Sequence, residues 1–138
     1  MTINVEQLLA KVPTGLLING QWRDAASGET FDVENPATGE VLATLASGNS
    51  EDAVAALDAA CAVQDEWART TPRERSNILR RAFELVTERK DEFAALMTLE
   101  MGKPLAEAYG EVTYGAEHLR WFSEEAVRDY GRSLPAPE

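Results

Sequence analysis

Cysteine and histidine are all but absent: the 138 residues include one of each, Cys61 and His118. A single cysteine excludes an intrachain disulfide, and a single histidine excludes a histidine-rich metal site. Long apolar runs are also missing, since nothing approaches the ~18 residues of a membrane span. Residues 1–15 (MTINVEQLLAKVPTG) lack the basic start and apolar stretch of a secretory signal. Positive charge is in short supply, with 13 Lys and Arg against 24 Asp and Glu and a net charge of −11, so a phosphate backbone would be repelled. Neither nucleic acid nor a membrane is an expected partner, and a reducing, cytoplasmic compartment is the expected location.

What is present is a globular composition, 44% hydrophobic, too apolar for a disordered chain. The length suits one domain. The texture changes near residue 48, from short β-like runs broken by turn residues to long helix-like runs. Leu16-Leu17-Ile18 leads into Asn19-Gly20 and then Gln21-Trp22, the strongest short signal for a hairpin, because both turn residues tolerate positive φ. Ala25–Gly28 reads as a loop. Phe31 and Val33 alternate with Asp32 and Glu34 as in a half-buried strand, Asn35–Gly39 is a turn, and Glu40–Ala46 is a returning strand.

Three long helices are predicted after Gly48. The first is capped by Asn49 or Ser50, with Glu51 and Asp52 at the positive end of its dipole. Val54, Leu57, Cys61 and Trp67 would form its apolar face, as far as Thr70-Thr71-Pro72. The second starts with Thr71 as N-cap, Pro72 at the first position and Glu74 completing a capping box. Its stripe of Ile78, Leu79, Ala82, Phe83, Leu85 and Val86 runs on through Phe93, Leu96, Met97 and Leu99 until Gly102 and Pro104. The third spans Leu105 to Tyr130, with Ala108, Val112, Gly115, Leu119, Phe122 and Ala126 on one face and Gly131 as the C′ residue. Gly110 and Gly115 inside it predict close backbone packing, since each costs about 1 kcal/mol against Ala. Residues 133–138 read as extended.

No self-sufficient active site emerges from the residues. There is no G-x-G-x-x-G, no phosphate loop, no nucleophile elbow and no H-E-x-x-H. Cys61 lies mid-helix among alanines, without the basic neighbour or helix N-terminus that activates a thiolate, and is expected to be a buried small hydrophobe. His118 is expected at the surface or boundary. Seven positive charges between Arg69 and Lys90, against Glu74, Glu84 and Glu88, read as the wet face of an amphipathic helix. Tyr114, Trp121 and Phe122 are expected in the core.

Taken together, several stretches resemble the N-terminus of the aldehyde dehydrogenase family. They are Leu17–Trp22 and Phe31–Glu40 (FDVENPATGE), then Trp67 with Pro72–Arg75 and Ile78–Arg80, and finally Leu96–Ala108 (LMTLEMGKPLAEA). Tyr114, Arg120–Ala126 (RWFSEEA) and Tyr130-Gly131 are most similar to the succinate-semialdehyde branch. The resemblance runs from about Leu16 to Pro135. It implies an α/β fold: the N-terminal part of an NAD(P)-binding domain, with short antiparallel β-hairpins followed by three long helices. Residues 1–15 would be an N-terminal extension and 16–138 the opening of that domain. The Rossmann glycine motif and catalytic domain would be absent.

The resemblance further implies an activity for the intact enzyme: attack of a cysteine thiolate on the aldehyde, hydride transfer to NAD or NADP, and hydrolysis of the thioester. The residues for that chemistry have no counterpart here, so no cofactor is expected for this chain itself. It also implies a monovalent cation near main-chain oxygens of Val33 and Glu34 and the carboxylate of Glu100, oxygen ligands suited to a hard cation. Glu111, Tyr114 and Gly115 would border the aldehyde tunnel. The implied partners are the remainder of the dehydrogenase chain and further copies, as a homo-oligomer or by self-association. Two alternatives stand beside this: a free-standing helical interaction module, and another branch of the same family.

Overall fold

A computed structural model describes residues 3–131. The Asn-Gly signal produces its hairpin: β1 (Leu16–Ile18) pairs antiparallel with β2 (Gln21–Arg23), and Asn19 and Gly20 take φ of 51° and 72°. A second antiparallel pair joins β3 (Thr30–Glu34) to β4 (Val41–Ala46). Its turn is closed by Asn35, whose side chain accepts from the Ala37 N–H at 2.9 Å and whose carbonyl accepts from the Gly39 N–H at 2.7 Å. Ahead of the hairpins lies a short helix, α1 (Val5–Leu9), to which the sequence pattern gave no assignment. It buries Leu8, and Lys11 just beyond it pairs with Glu92 at 3.3 Å.

Helix α2 (Ser50–Arg69) begins at Asn49, whose side chain accepts from the N–H groups of Glu51 and Asp52. Helix α3 (Pro72–Glu88) begins with the expected capping box between Thr71 and Glu74. The long second helix is divided, however. At Arg89 the backbone leaves the helical region (φ −103°, ψ 19°), and α4 (Lys90–Met101) starts afresh. The apolar spacing carries across this break, which is why periodicity alone did not reveal it. Gly102 ends α4 in the left-handed conformation, φ 74°. Helix α5 (Leu105–Glu125) closes at Ala126, short of the predicted Tyr130, and Gly131 has positive φ but lies beyond the helix. The predicted extended residues 133–138 fall outside the described residues.

Helices α3, α4 and α5 pack around Ala94, Ala108 and Val112, with Val86, Met97 and Tyr109 against them. The buried face of α5 is Ala108, Val112, Ala116 and Ser123. That corrects the predicted face in two places, because Gly115 and Phe122 are exposed. It also corrects the reading of the glycines: a Cβ at Gly110 or Gly115 would meet nothing within 4 Å. Tyr114, Trp121 and Phe122, expected in the core, are 68%, 56% and 55% exposed. Cys61, expected to be buried, is exposed, as are Val54 and Leu57. In each case the side chain lies on an apolar helix face for which the described residues provide no cover.

The surface area shows how open the chain is. At 15.1 kDa it exposes 10352 Å², whereas a compact monomer of that mass exposes about 7,100 Å². The excess, about 3,000 Å², is more than nine fully exposed residues would add at about 160 Å² each. Among the described residues no large side chain is fully buried.

Two glycine substitutions should have opposite effects. A Cβ at Gly102 would lie 3.1 Å from the Pro36 side chain at positive φ, so Gly102→Ala should destabilise by about 1–2 kcal/mol. Gly110→Ala, in an open helical position, should stabilise by up to about 1 kcal/mol. Chemical denaturation followed by circular dichroism checks both.

Candidate functional site

The most heavily bonded carboxylate is Asp52, in the first turn of α2, and it is buried. The Arg23 guanidinium donates to it at 2.8 Å from the end of β2. The Ala26 N–H donates at 3.1 and 3.2 Å to its two oxygens, and the Asn49 N–H at 3.1 Å. These donors hold its carboxyl below the usual value near 3.8, the Asn49 backbone bond most strongly, with Ala26 and Arg23 adding to it against the opposing effect of burial. All its oxygens are committed to internal donors, so Asp52 is a tie between hairpin and helix, not a free acid or base. The sequence marked it only as a charge at the helix dipole. Its position three residues after Asn49 was the available sign of a capping box.

A second anchor is Arg75. Its Nη2 donates to the carbonyls of Trp67 and Ala68 at 3.0 Å each, satisfying two orphan acceptors at the end of α2, and its guanidinium lies 5.5 Å from the Trp67 ring centroid. No sequence signal pointed to this. The remaining basic residues of α3 behave as a solvated face: Arg80 pairs with Glu84, and Arg81 with Glu84 and Glu88.

Val33 and Glu34 lie at the end of β3, where the pairing slips. Val33 faces Ala43 and Glu34 faces Val41, which leaves Leu42 as the extra residue of a bulge. Val33 is half-buried and Glu34 exposed. Glu100, one residue before the end of α4, is exposed and makes no side-chain hydrogen bond or ion pair among the described residues. The contact between Pro36 and Gly102 brings the turn after β3 against the α4–α5 junction. Among the described residues no three His, Cys, Asp or Glu side chains converge as a metal cluster.

Glu111, Tyr114 and Gly115 lie along one exposed side of α5. Glu111 accepts from Lys103 Nζ at 2.5 Å. His118, exposed as expected, sits with Nδ1 2.9 Å from the Tyr114 carbonyl, and the two rings meet edge to face with centroids 4.7 Å apart. Tyr114, Glu117, His118, Trp121 and Phe122 line one shallow depression. Phe122 continues into a second, shared with Trp67, Arg75, Ile78, Leu79, Glu125 and Ala126. The result is a continuous aromatic and aliphatic stripe from mid-α5 to the start of α3.

Comparison with known proteins follows this geometry. The Aldehyde dehydrogenase family model matches residues 22–138, and the chain belongs to that family. It is 76% identical over 98 residues to the succinate-semialdehyde dehydrogenase of Paenarthrobacter nicotinovorans, covering 71% of this chain and 22% of that one. It is 48% identical over 119 residues to the succinate-semialdehyde dehydrogenase (NADP(+)) GabD of Escherichia coli strain K12, covering 86% of this chain and 25% of that one. The crystal structure of an E. coli NADP-dependent enzyme superposes with a TM-score of 0.90 at 43% identity, over 99% of this chain and 28% of that one. The chain thus spans about a quarter of the length of the relatives it matches. Strand pairs followed by helices agree with the expected opening of such a chain.

Acid should loosen the tie at Asp52. Its folded pKa lies below the unfolded value, so the unfolded chain binds more protons in that window and stability falls as pH drops below about 5. Glu74, Glu92 and Glu117 are lowered as well and act in the same direction. Asp52→Asn should therefore lower the melting temperature at neutral pH and reduce, without abolishing, the acid slope. A melting series across the acid range reads both effects.

Proposed function

We propose that this chain is the opening part of the NAD(P)-binding domain of a succinate-semialdehyde dehydrogenase, residues 16–138 belonging to that domain and 1–15 preceding it. The observation that carries this is the 76% identity to the P. nicotinovorans enzyme. The uncovered apolar faces support it, because a stand-alone module would close them. The intact enzyme on this reading is a cytoplasmic homo-oligomer that oxidises succinate semialdehyde to succinate through a cysteine thiohemiacetal and thioester.

NAD or NADP supplies the hydride acceptor when bound to the intact enzyme. The described residues do not fit a dinucleotide: the glycines with positive φ (20, 28, 39, 102 and 131) lie in turns, a loop or beyond helix ends, and none opens a helix onto a phosphate. Cys61 has no basic partner within hydrogen-bonding distance and sits on the outside of α2. No step of the reaction is assigned to these residues. Their contribution is structural, a hairpin and helix layer for the remainder of the enzyme to pack on.

Two surfaces have narrower roles in this reading. Main-chain oxygens of Val33 and Glu34 with the Glu100 carboxylate hold a monovalent cation, supported by the contact of the β3 turn with the α4–α5 junction and by the unpaired Glu100 carboxylate. Glu111, Tyr114 and Gly115 border the aldehyde tunnel, supported by their exposure along one side of α5.

The purified chain mixed with succinate semialdehyde and NAD or NADP should form no reduced nucleotide above the enzyme-free blank. Sustained turnover would show that catalytic groups are present after all. For the cation, the chain should melt at a higher temperature in potassium chloride than in choline chloride of equal ionic strength, and Glu100→Gln should erase the difference. Equal melting of the unsubstituted chain in both salts would remove the assignment.

A further inference from the structure

The stripe on α5 suits a particular occupant when the chain is by itself. Tyr114, Trp121, Phe122, Ile78 and Trp67 are each about half or more exposed. Aromatic side chains of this kind have about 150–250 Å² each, so together the five offer on the order of 500 Å² of apolar surface. A standard interface buries about 800 Å² per partner, of which about 57% is apolar. The stripe therefore matches one side of such an interface. Its composition also fits, since Trp and Tyr dominate the centres of interfaces.

The charges along its rim are already compensated. Glu111 pairs with Lys103, Glu117 and Glu124 with Arg120, and Glu125 with Arg128. Arg75, between the two depressions, spends Nη2 on the carbonyls ending α2. Covering the stripe thus requires no new counter-ion from the partner, which is what allows an identical surface to serve. A patch meeting its own copy across a two-fold axis closes after two subunits and leaves no open end. The exposed face of α2 lacks this character: apart from Trp67, which turns toward α3, it offers Val54, Leu57 and Cys61, without an aromatic centre.

We propose that the 138-residue chain forms a two-fold dimer through the stripe Tyr114–Trp121–Phe122 of α5, extended by Ile78 and Trp67. The occupant is a second copy of this chain. The proposal rests on the reading that no part of this chain covers the surface that the remainder of an intact enzyme would cover, and it needs no catalytic activity.

Sedimentation velocity of the full chain over a dilution series tests it. The expected result is a monomer–dimer equilibrium in the micromolar range, as interfaces of this size permit. Phe122→Asp and Tyr114→Asp, both at exposed positions, should each raise the dissociation constant by about tenfold or more. Leu57→Asp on α2 should leave it unchanged, and circular dichroism should show native helix content in all three. A monomer at every concentration overturns the proposal. So does open-ended aggregation, and so does a dimer that Leu57→Asp disrupts while Phe122→Asp and Tyr114→Asp do not. The turnover assay reads the dehydrogenase assignment separately, so a monomeric but inactive chain would remove the dimer and leave the family reading standing.

Discussion

Helices α3, α4 and α5 depend on a seam of small side chains. Ala94, Ala108, Val112 and Ala116 are buried where these helices meet, and their size lets the backbones approach closely. The same small size limits what the seam contributes, because burial stabilises at about 25 cal/mol per Å² of apolar surface and an alanine has little to bury. The larger apolar residues of these helices, Ile78, Leu85, Trp121 and Phe122 among them, point to the other side and stay in contact with water. The bundle is therefore half of a layered arrangement, with its inner seam closed and its outer face open.

The N-terminal elements are joined to this bundle by few, specific ties. Asp52 gathers donors from Arg23, Ala26 and Asn49, which locks the first hairpin onto the start of α2. Arg75 fastens the far end of α2 to α3. Pro36 against Gly102 and Lys11 with Glu92 connect the hairpins and the N-terminal segment to α4. Between its two ends α2 is largely exposed for about five turns. Polar ties fix orientation well but bury little surface, which suits a segment whose stability comes from further packing. The family assignment gives that exposure its meaning, because the matched relatives are about four times as long.

Local structure was legible where a short stretch of residues decides it. The Asn19-Gly20 turn, the capping box at Thr71 and Glu74, and the stop at Gly102 all follow from backbone conformations that particular residues favour, independent of distant partners. The division at Arg89 was not legible, since the apolar spacing is continuous across it. Burial was misjudged wherever an apolar face was taken to imply a cover. Cys61 and Phe122 sit at helical positions that normally face a core, and here they face solvent.

The sequence by itself determined the order of strands and helices, their caps, the negative charge and the family likeness, because these reside in neighbouring residues and in residue identity. Only the tertiary structure decided that Asp52 is a buried tie and that Arg75 staples α2 to α3. It also decided that the aromatic side of α5 is the open one. Each of these depends on which residues distant in the chain come within bonding distance, and periodicity along one helix cannot supply that.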